Sequence, residues 1–416
     1  MAETHDIGAL RKIPLLANLP PWQLEMVGEA IEPVEAHKGS VIIERGSDDG
    51  FTYFITEGHV SLDAADGLNK TIEFTRESPR TPISNLRPRL FGVTAVSRVS
   101  AIRVPDIVLT AAGCDGQVHD PDEIRVESEE EQERRQLESK LSFQLYRDLN
   151  KDRAILPSLP DLALRIRRAI DDDMSDARTV ARLIETDPAM ATKVLKVANS
   201  ALYGGLGSVE SCSGAVVRLG MQTTKQLVMV FALKEVFQSK DPAIQKRMLV
   251  LWKHSAQIAA LCFVLAREIK GMSAEEALLV GLVHDVGAIA ILNYIEKYPE
   301  LMETEAVLEE TISRMRGELG AMILRKWRFS PAVVAGARDA ENWLRQQTGK
   351  ADFTDLLIAA QVHERLRKHQ LDDLPPMEQI SAIQRVLGEG ATAEKSLEIM
   401  QEAKVQLDEM RSLLRG

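Results

Sequence analysis

The chain has 416 residues, 45% of them hydrophobic and 27% charged, with a net charge of −11 and a pI near 5.4. That length exceeds one compact core and implies two or three domains, while the negative balance opposes phosphate backbones and argues against nucleic-acid binding. Three scattered cysteines, Cys114, Cys212 and Cys262, offer neither a disulfide framework nor a zinc ribbon.

The first residues, MAETHDIGALRKIP, hold no apolar run of signal-peptide length, and no stretch approaches 18 uncharged apolar residues. The expectation is a cytoplasmic protein with no membrane span. Aromatics are sparse, so Leu, Ile, Val, Ala and Met must fill the cores.

Leu24, Val27 and Ile31 fall at helical spacing after Leu19-Pro20-Pro21. Short β-branched runs follow, divided by glycines: Gly39 to Ile43, Gly46, Phe51 to Ile55, and Gly58 to Leu62. Further strands fit Thr71 to Thr75 and Ala101 to Leu109. Short strands with regular turn signals predict an all-β barrel or roll over residues 1–118. The segment Leu15-Leu16-Ala17-Asn18-Leu19 and the turn glycines Gly39, Gly46 and Gly58 resemble a cyclic-nucleotide-binding β-roll.

In that family a phosphate cassette reads Phe-Gly-Glu, then a short helix, then an arginine. Here Phe91-Gly92-Val93 stands at that place, so the resemblance implies Gly92 and Arg98 as the ligand-binding candidates. Val93 replaces the glutamate that would hold the ribose, and Arg98 follows Gly92 by six residues. That leaves too little chain for the helix whose N-terminus would hold a cyclic phosphate. The resemblance is therefore one of fold, and the domain reads as a degenerate sensor.

Residues 119–144 read as an acidic helical linker, with nine acidic residues against four basic from Asp120 to Lys140. Leu137, Leu141, Leu145 and Leu149 form one apolar stripe. It suits either a short coiled coil between subunits or the first helix of the next domain.

From Leu156 to about Arg367 the chain is helical by period. Asp176 and Asp187-Pro188 are helix-start signals, and Ser273 with Glu276 fits a capping box. The tail, 371–416, reads as two amphipathic helices broken at Gly388-Glu389-Gly390. The segment from Leu156 to Gly204 combines a Leu-Pro-Ser-Leu-Pro entry, an Asp-rich turn, Thr186-Asp187-Pro188 and the closing Ala198-Asn199-Ser200-Ala201-Leu202-Tyr203-Gly204. Trp252-Lys253-His254-Ser255 follows, then Gly281-Leu282-Val283-His284-Asp285-Val286-Gly287.

These segments, in this order, resemble the HDOD family, a helical bacterial signalling domain related to the HD phosphohydrolases. The resemblance covers roughly Leu145 to Leu366 and implies an all-α domain over 145–370. It marks Asn199, Ser200, Tyr203 and Gly204 as the family motif. It implies His254, His284 and Asp285 as ligands of a divalent metal, two imidazoles and a carboxylate suited to activating water against a phosphoester. The fourth family ligand, an aspartate, is replaced by Gln361, and Asp355 lies six residues earlier. Histidines of competent relatives are also missing from Arg316-Gly317-Glu318-Leu319-Gly320 and from Ala337 to Glu341.

The expected architecture is multidomain α+β: a β-roll, a helical linker, an all-α HDOD domain and a helical tail. The function implied is that of a non-catalytic bacterial regulator. It would act through contacts with signalling proteins of two-component or cyclic di-GMP pathways, with no cofactor beyond the possible metal. A homodimer is compatible with the linker and tail helices. The alternatives are a metal-dependent phosphohydrolase acting on a nucleotide or cyclic dinucleotide, and a cyclic-nucleotide receptor.

Overall fold

A computed structural model of the chain describes residues 10–114, 157–295, 305–388 and 404–415, apart from 65–68, 76–77, 79, 85–88, 90, 173, 205–206, 348, 369 and 371–373, and adds the single residues 147, 398 and 401. The linker 119–144 and the leucine stripe 137–149 lie outside the described residues, as does most of the tail break at 388–390.

The first elements are α1 (Pro21–Ala30), β1 (Glu32–Ala36), β2 (Val41–Ile43), β3 (Phe51–Asp63), β4 (Asn69–Phe74), β5 (Gly92–Ala95), β6 (Val99–Pro105) and α2 (Asp106–Ala111). Then come α3 (Asp161–Asp171), α4 (Ala177–Ile184), α5 (Pro188–Ala198), α6 (Cys212–Leu219), α7 (Met221–Leu233), α8 (Pro242–Arg267), α9 (Ala274–Val283) and α10 (Val286–Ile295). The last are α11 (Glu305–Lys326), α12 (Pro331–Arg338), α13 (Phe353–Lys368), α14 (Ser381–Leu387) and α15 (Lys404–Arg415).

Two compact units result: Met1–Leu156 with Lys297–Ala335, and Pro157–Glu296 with Gly336–Gly416. In the first, one antiparallel sheet runs β1-β6-β3-β5-β2, with β4 added to β3. Strand β3 changes partner along its length. Residues 51–57 pair with β6, and residues from Gly58 on pair with β4 and, from Val60, with β5.

Gly58 sits at the switch with φ +114°, where a side chain would also strike the Arg98 carbonyl. The curled sheet closes over Ile43, Tyr53, Ile55, Val60, Val93 and Val99. The expected strand Ala101 to Leu109 ends early. Pro105 removes a ladder donor, Asp106 opens α2, and Ile107, Val108 and Leu109 are buried as helix. Helix α11 belongs to this unit and packs on α2.

The second unit is helical. The predicted caps form: the Asp176 carboxylate accepts from the Thr179 amide, Asp187 from Ala189 and Met190, and Ser273 from Glu276. Helices α8, α9 and α13 pack together, and α15 lies on α8 with Leu407, Met410, Leu413 and Leu414 buried.

Two stretches, Pro242–Arg267 and Ala274–Ile295, reach the length and hydropathy of a membrane span, which a search for uncharged runs does not reveal. Of their most apolar windows, 67% and 94% are buried, so they serve as core helices.

Candidate metal centre

His254 projects from the middle of α8, while His284 and Asp285 form the junction between α9 and α10. Gly281 sets their meeting. A Cβ there would lie 2.6 Å from the Cα of Ala259, so only glycine lets α9 approach α8 this closely. His254 lies five residues before Ala259 and His284 three after Gly281, and the two imidazoles meet edge to face with ring centres 5.2 Å apart.

The carbonyl of Gly281 accepts from His284 Nδ1 at 2.8 Å. A carbonyl cannot donate, so Nδ1 carries a proton and Nε2 is the nitrogen turned into the site. Three atoms converge there. His284 Nε2 lies 3.3 Å from His254 Nε2 and 3.2 Å from Asp285 Oδ2, and His254 Nε2 lies 3.5 Å from the same oxygen. Ligand atoms around an ion with bonds of about 2.1 Å lie about 3.0–3.4 Å apart. The trio fits a divalent cation on that ground. The His284 and Asp285 side chains are 1% and 3% exposed, whereas His254 is 32% exposed, so the cluster opens to solvent on one side.

Among the described residues, no further histidine, cysteine or carboxylate joins this cluster. Gln361 on α13 is buried and donates its side-chain amide to the Ala340 carbonyl at 2.5 Å. Asp355 is fully buried one and a half turns earlier and belongs to an arginine cage. Arg345 reaches it at 3.0 Å and Arg385 at 2.7 Å, and the Gln347 amide donates to it as well. Burial opposes its charge, but the hydrogen bonds from Arg385 and the Asp352 backbone, with both arginine charges, hold its carboxyl below the usual range. Glu318, Asp339 and Glu341 likewise stand outside the trio. Arg338 pairs with Asp339, and Arg365 with Glu341.

The family motif acts as a local brace. The Asn199 amide donates to the Val209 carbonyl at 2.8 Å and accepts from the Val209 N–H at 2.7 Å, closing the chain beyond the turn. Tyr203 donates its hydroxyl to Glu275 in the first turn of α9, with its ring tilted on Phe263 of α8. Burial first, then the Glu275 charge, pushes its phenol well above the ordinary value. Gly204 is required by space, since a Cβ would sit 2.8 Å from the Ser200 carbonyl. Among the described residues, Ser200 Oγ is buried without a hydrogen-bond partner. The motif thus touches both helices that carry the candidate trio, through a tyrosine whose partner the sequence did not name.

In the β-roll, Gly92 is buried at the start of β5, and Val93 fills the core behind it. The chain passes from β5 to β6 through Val96, Ser97 and Arg98 with no helix between. Arg98 faces Glu35 on the surface at 3.4 Å. Gly92 and Arg98 therefore stand at the two ends of a strand and turn.

A different arginine occupies the interior. Arg89 is 1% exposed, donates to Asp49 at 2.7 Å and to the carbonyls of Ser84 and Phe51, and lies over the Tyr53 ring. Sequence reasoning missed it because arginine is seldom buried; the nearby Asp48-Asp49-Gly50 turn was the available signal.

Residues 156–343 match the family model of the HDOD domain. An uncharacterised protein of Treponema pallidum is 26% identical over 197 residues, 45% of this chain, and the match spans 38% of that relative's length. The crystal structure of a presumed metal-dependent phosphohydrolase from Shewanella amazonensis is similar with a TM-score of 0.56 at 25% identity, over 67% of this chain and 99% of that one. The regulatory subunit of a cAMP-independent protein kinase A from Trypanosoma brucei is 24% identical over 24% of this chain and 38% of its own, with a TM-score of 0.21. Residues 156–343 of this chain are an HDOD domain, preceded by a curled antiparallel sheet.

Proposed function

We propose that this protein is a bacterial regulator whose HDOD domain works by contact with other signalling proteins rather than by turnover. Proteins of two-component or cyclic di-GMP pathways are the partners we would seek. The observation that carries this reading is Gln361, whose amide is committed to the Ala340 carbonyl where an HD-type enzyme needs an anionic ligand. With Asp355 held by two arginines, one carboxylate and two neutral imidazoles remain, a weaker donor set for a doubly charged ion.

A metal-dependent phosphohydrolase is the second reading, favoured by the convergence of His254, His284 and Asp285. A divalent ion held by these three would supply Lewis acidity and lower the pKa of water bound to it. The test is elemental analysis of the purified protein and its Asp285→Ala variant, with a nitrophenyl phosphodiester assay on both. We expect no turnover that depends on Asp285. Stoichiometric metal, with turnover lost in the variant, would reverse the ranking.

A further inference from the structure

We propose that α11 is the output element of the β-roll, gripped through Arg325 by the turn Asp48-Asp49-Gly50. The inference deepens the regulatory reading above and rests on it. The guanidinium of Arg325, near the end of α11, lies 3.9 Å from the buried carboxylate of Asp48. It also fills the space over Gly50, where any Cβ would fall inside contact distance of its Nη1 and Cζ atoms.

The same turn is locked from the sheet side. Asp49 accepts from Arg89 and from the Tyr53 hydroxyl at 2.9 Å. The Gly50 carbonyl accepts from the Asp106 amide at 2.9 Å, and Asp106 begins α2, on which α11 packs. Arg89 further ties its own backbone to this turn: its N–H donates to Ser47, and its carbonyl accepts from Gly46. Three residues after Arg89 comes Gly92, where a cyclic-nucleotide cassette would be.

A shift of Arg89 therefore changes the seat of Arg325. In sequence, α11 is bracketed by α10, which begins directly after Asp285, and by α12, whose Gly336 packs against Val280 of α9. In chain order the segment 297–335 of the β-roll unit lies between Asp285 and Gly336, so the chain itself links that unit to the HDOD site. The relay needs no contribution from the acidic linker. A rigid helix with a pinned end is a two-state element of this kind.

Two glycines in the same turn region allow a controlled test. Gly46 and Gly50 have φ of +77° and +76°, so alanine strains both backbones alike. Only at Gly50 does the added methyl displace Arg325, because among the described residues nothing lies within 4 Å of a Cβ at Gly46.

Hydrogen–deuterium exchange is measured on the full chain for Gly46→Ala, Gly50→Ala and Arg325→Ala, and for the last two combined. Gly50→Ala and Arg325→Ala should each speed exchange about ten-fold across both 305–326 and 286–295, the scale of one lost ion pair with a buried partner. The double variant should add nothing to either single one, and Gly46→Ala should leave 286–295 unchanged. The proposal is overturned if Gly46→Ala and Gly50→Ala act alike, or if the Gly50 and Arg325 effects stop at the turn. Should Gly50→Ala fail to fold, Arg325→Ala carries the test without backbone strain. The readout uses neither metal nor partner, so phosphodiester turnover could overturn the regulatory reading while this result stands, and the reverse.

Discussion

The side-chain amide of Gln361 donates to the carbonyl of Ala340 across 2.5 Å, tying α13 to the chain beyond α12 at a buried position. An aspartate here would set a carboxylate against that carbonyl and lose the donor. Gln361→Asp should therefore cost about 2–3 kcal/mol in urea unfolding. Zinc or manganese should not restore the midpoint. Recovery by either ion would identify position 361 as a working fourth ligand and weaken the contact-only reading.

The Asp355 cage is the second buried polar device of α13. Its carboxylate takes Arg345 and Arg385 together, with the Gln347 amide as a further donor. Removing one cation leaves a buried charge partly uncompensated, a change worth about 3 kcal/mol or more. Arg385→Met should lose that much at neutral pH. The Asp355 carboxyl is held below its ordinary value, so its contribution is present above the unfolded-state pKa and fades as pH falls through the folded one. The gap between the variant and the parent should accordingly narrow in acid, read by unfolding at pH 7 and pH 3.

Tyr203 and Gly204 separate a hydrogen bond from a space requirement. Tyr203→Phe loses only the bond to Glu275 and should cost about 1 kcal/mol. Gly204→Ala forces a methyl against the Ser200 carbonyl, a backbone atom that cannot swing aside, and should cost about 2 kcal/mol. If both variants bind metal as the parent does, the motif is a brace and takes no part in ligation.

The grouping of His254, His284 and Asp285 was legible because they sit in short motifs whose order survives without structure. Their convergence depends on Gly281, which the sequence marks as a close-packing position without naming Ala259 as the partner. The helix starts at Asp176, Asp187 and Ser273 were equally readable, since an N-cap is a local hydrogen bond.

What stayed hidden was non-local. The run Ile107 to Leu109 suits a buried strand or a buried helix, and Asp106 after Pro105 decides for the helix. Helix α11 lies inside the HDOD match yet groups with the β-roll, a regrouping that no periodicity encodes. Arg89 and the arginines around Asp355 are likewise joined only by tertiary contacts.

His363, on α13, makes a prediction in pH. It is 4% exposed, and burial pushes its imidazole down to about 4, against the pull of Glu364 and with the help of Arg367 and Arg411. The folded state holds it neutral, while the unfolded chain takes up a proton near pH 6.5. Between those values the unfolded state binds more protons, so stability falls as pH falls, by up to about 3 kcal/mol over the whole window. The His363→Gln variant cannot titrate and should show a flatter stability profile between pH 6.5 and 4. Urea unfolding of both proteins at pH 7 and pH 5 measures this, because acid loss common to the carboxylates cancels in the difference. Parallel profiles would mean that His363 takes up its proton alike in the folded and unfolded chains, with Glu364 offsetting its burial.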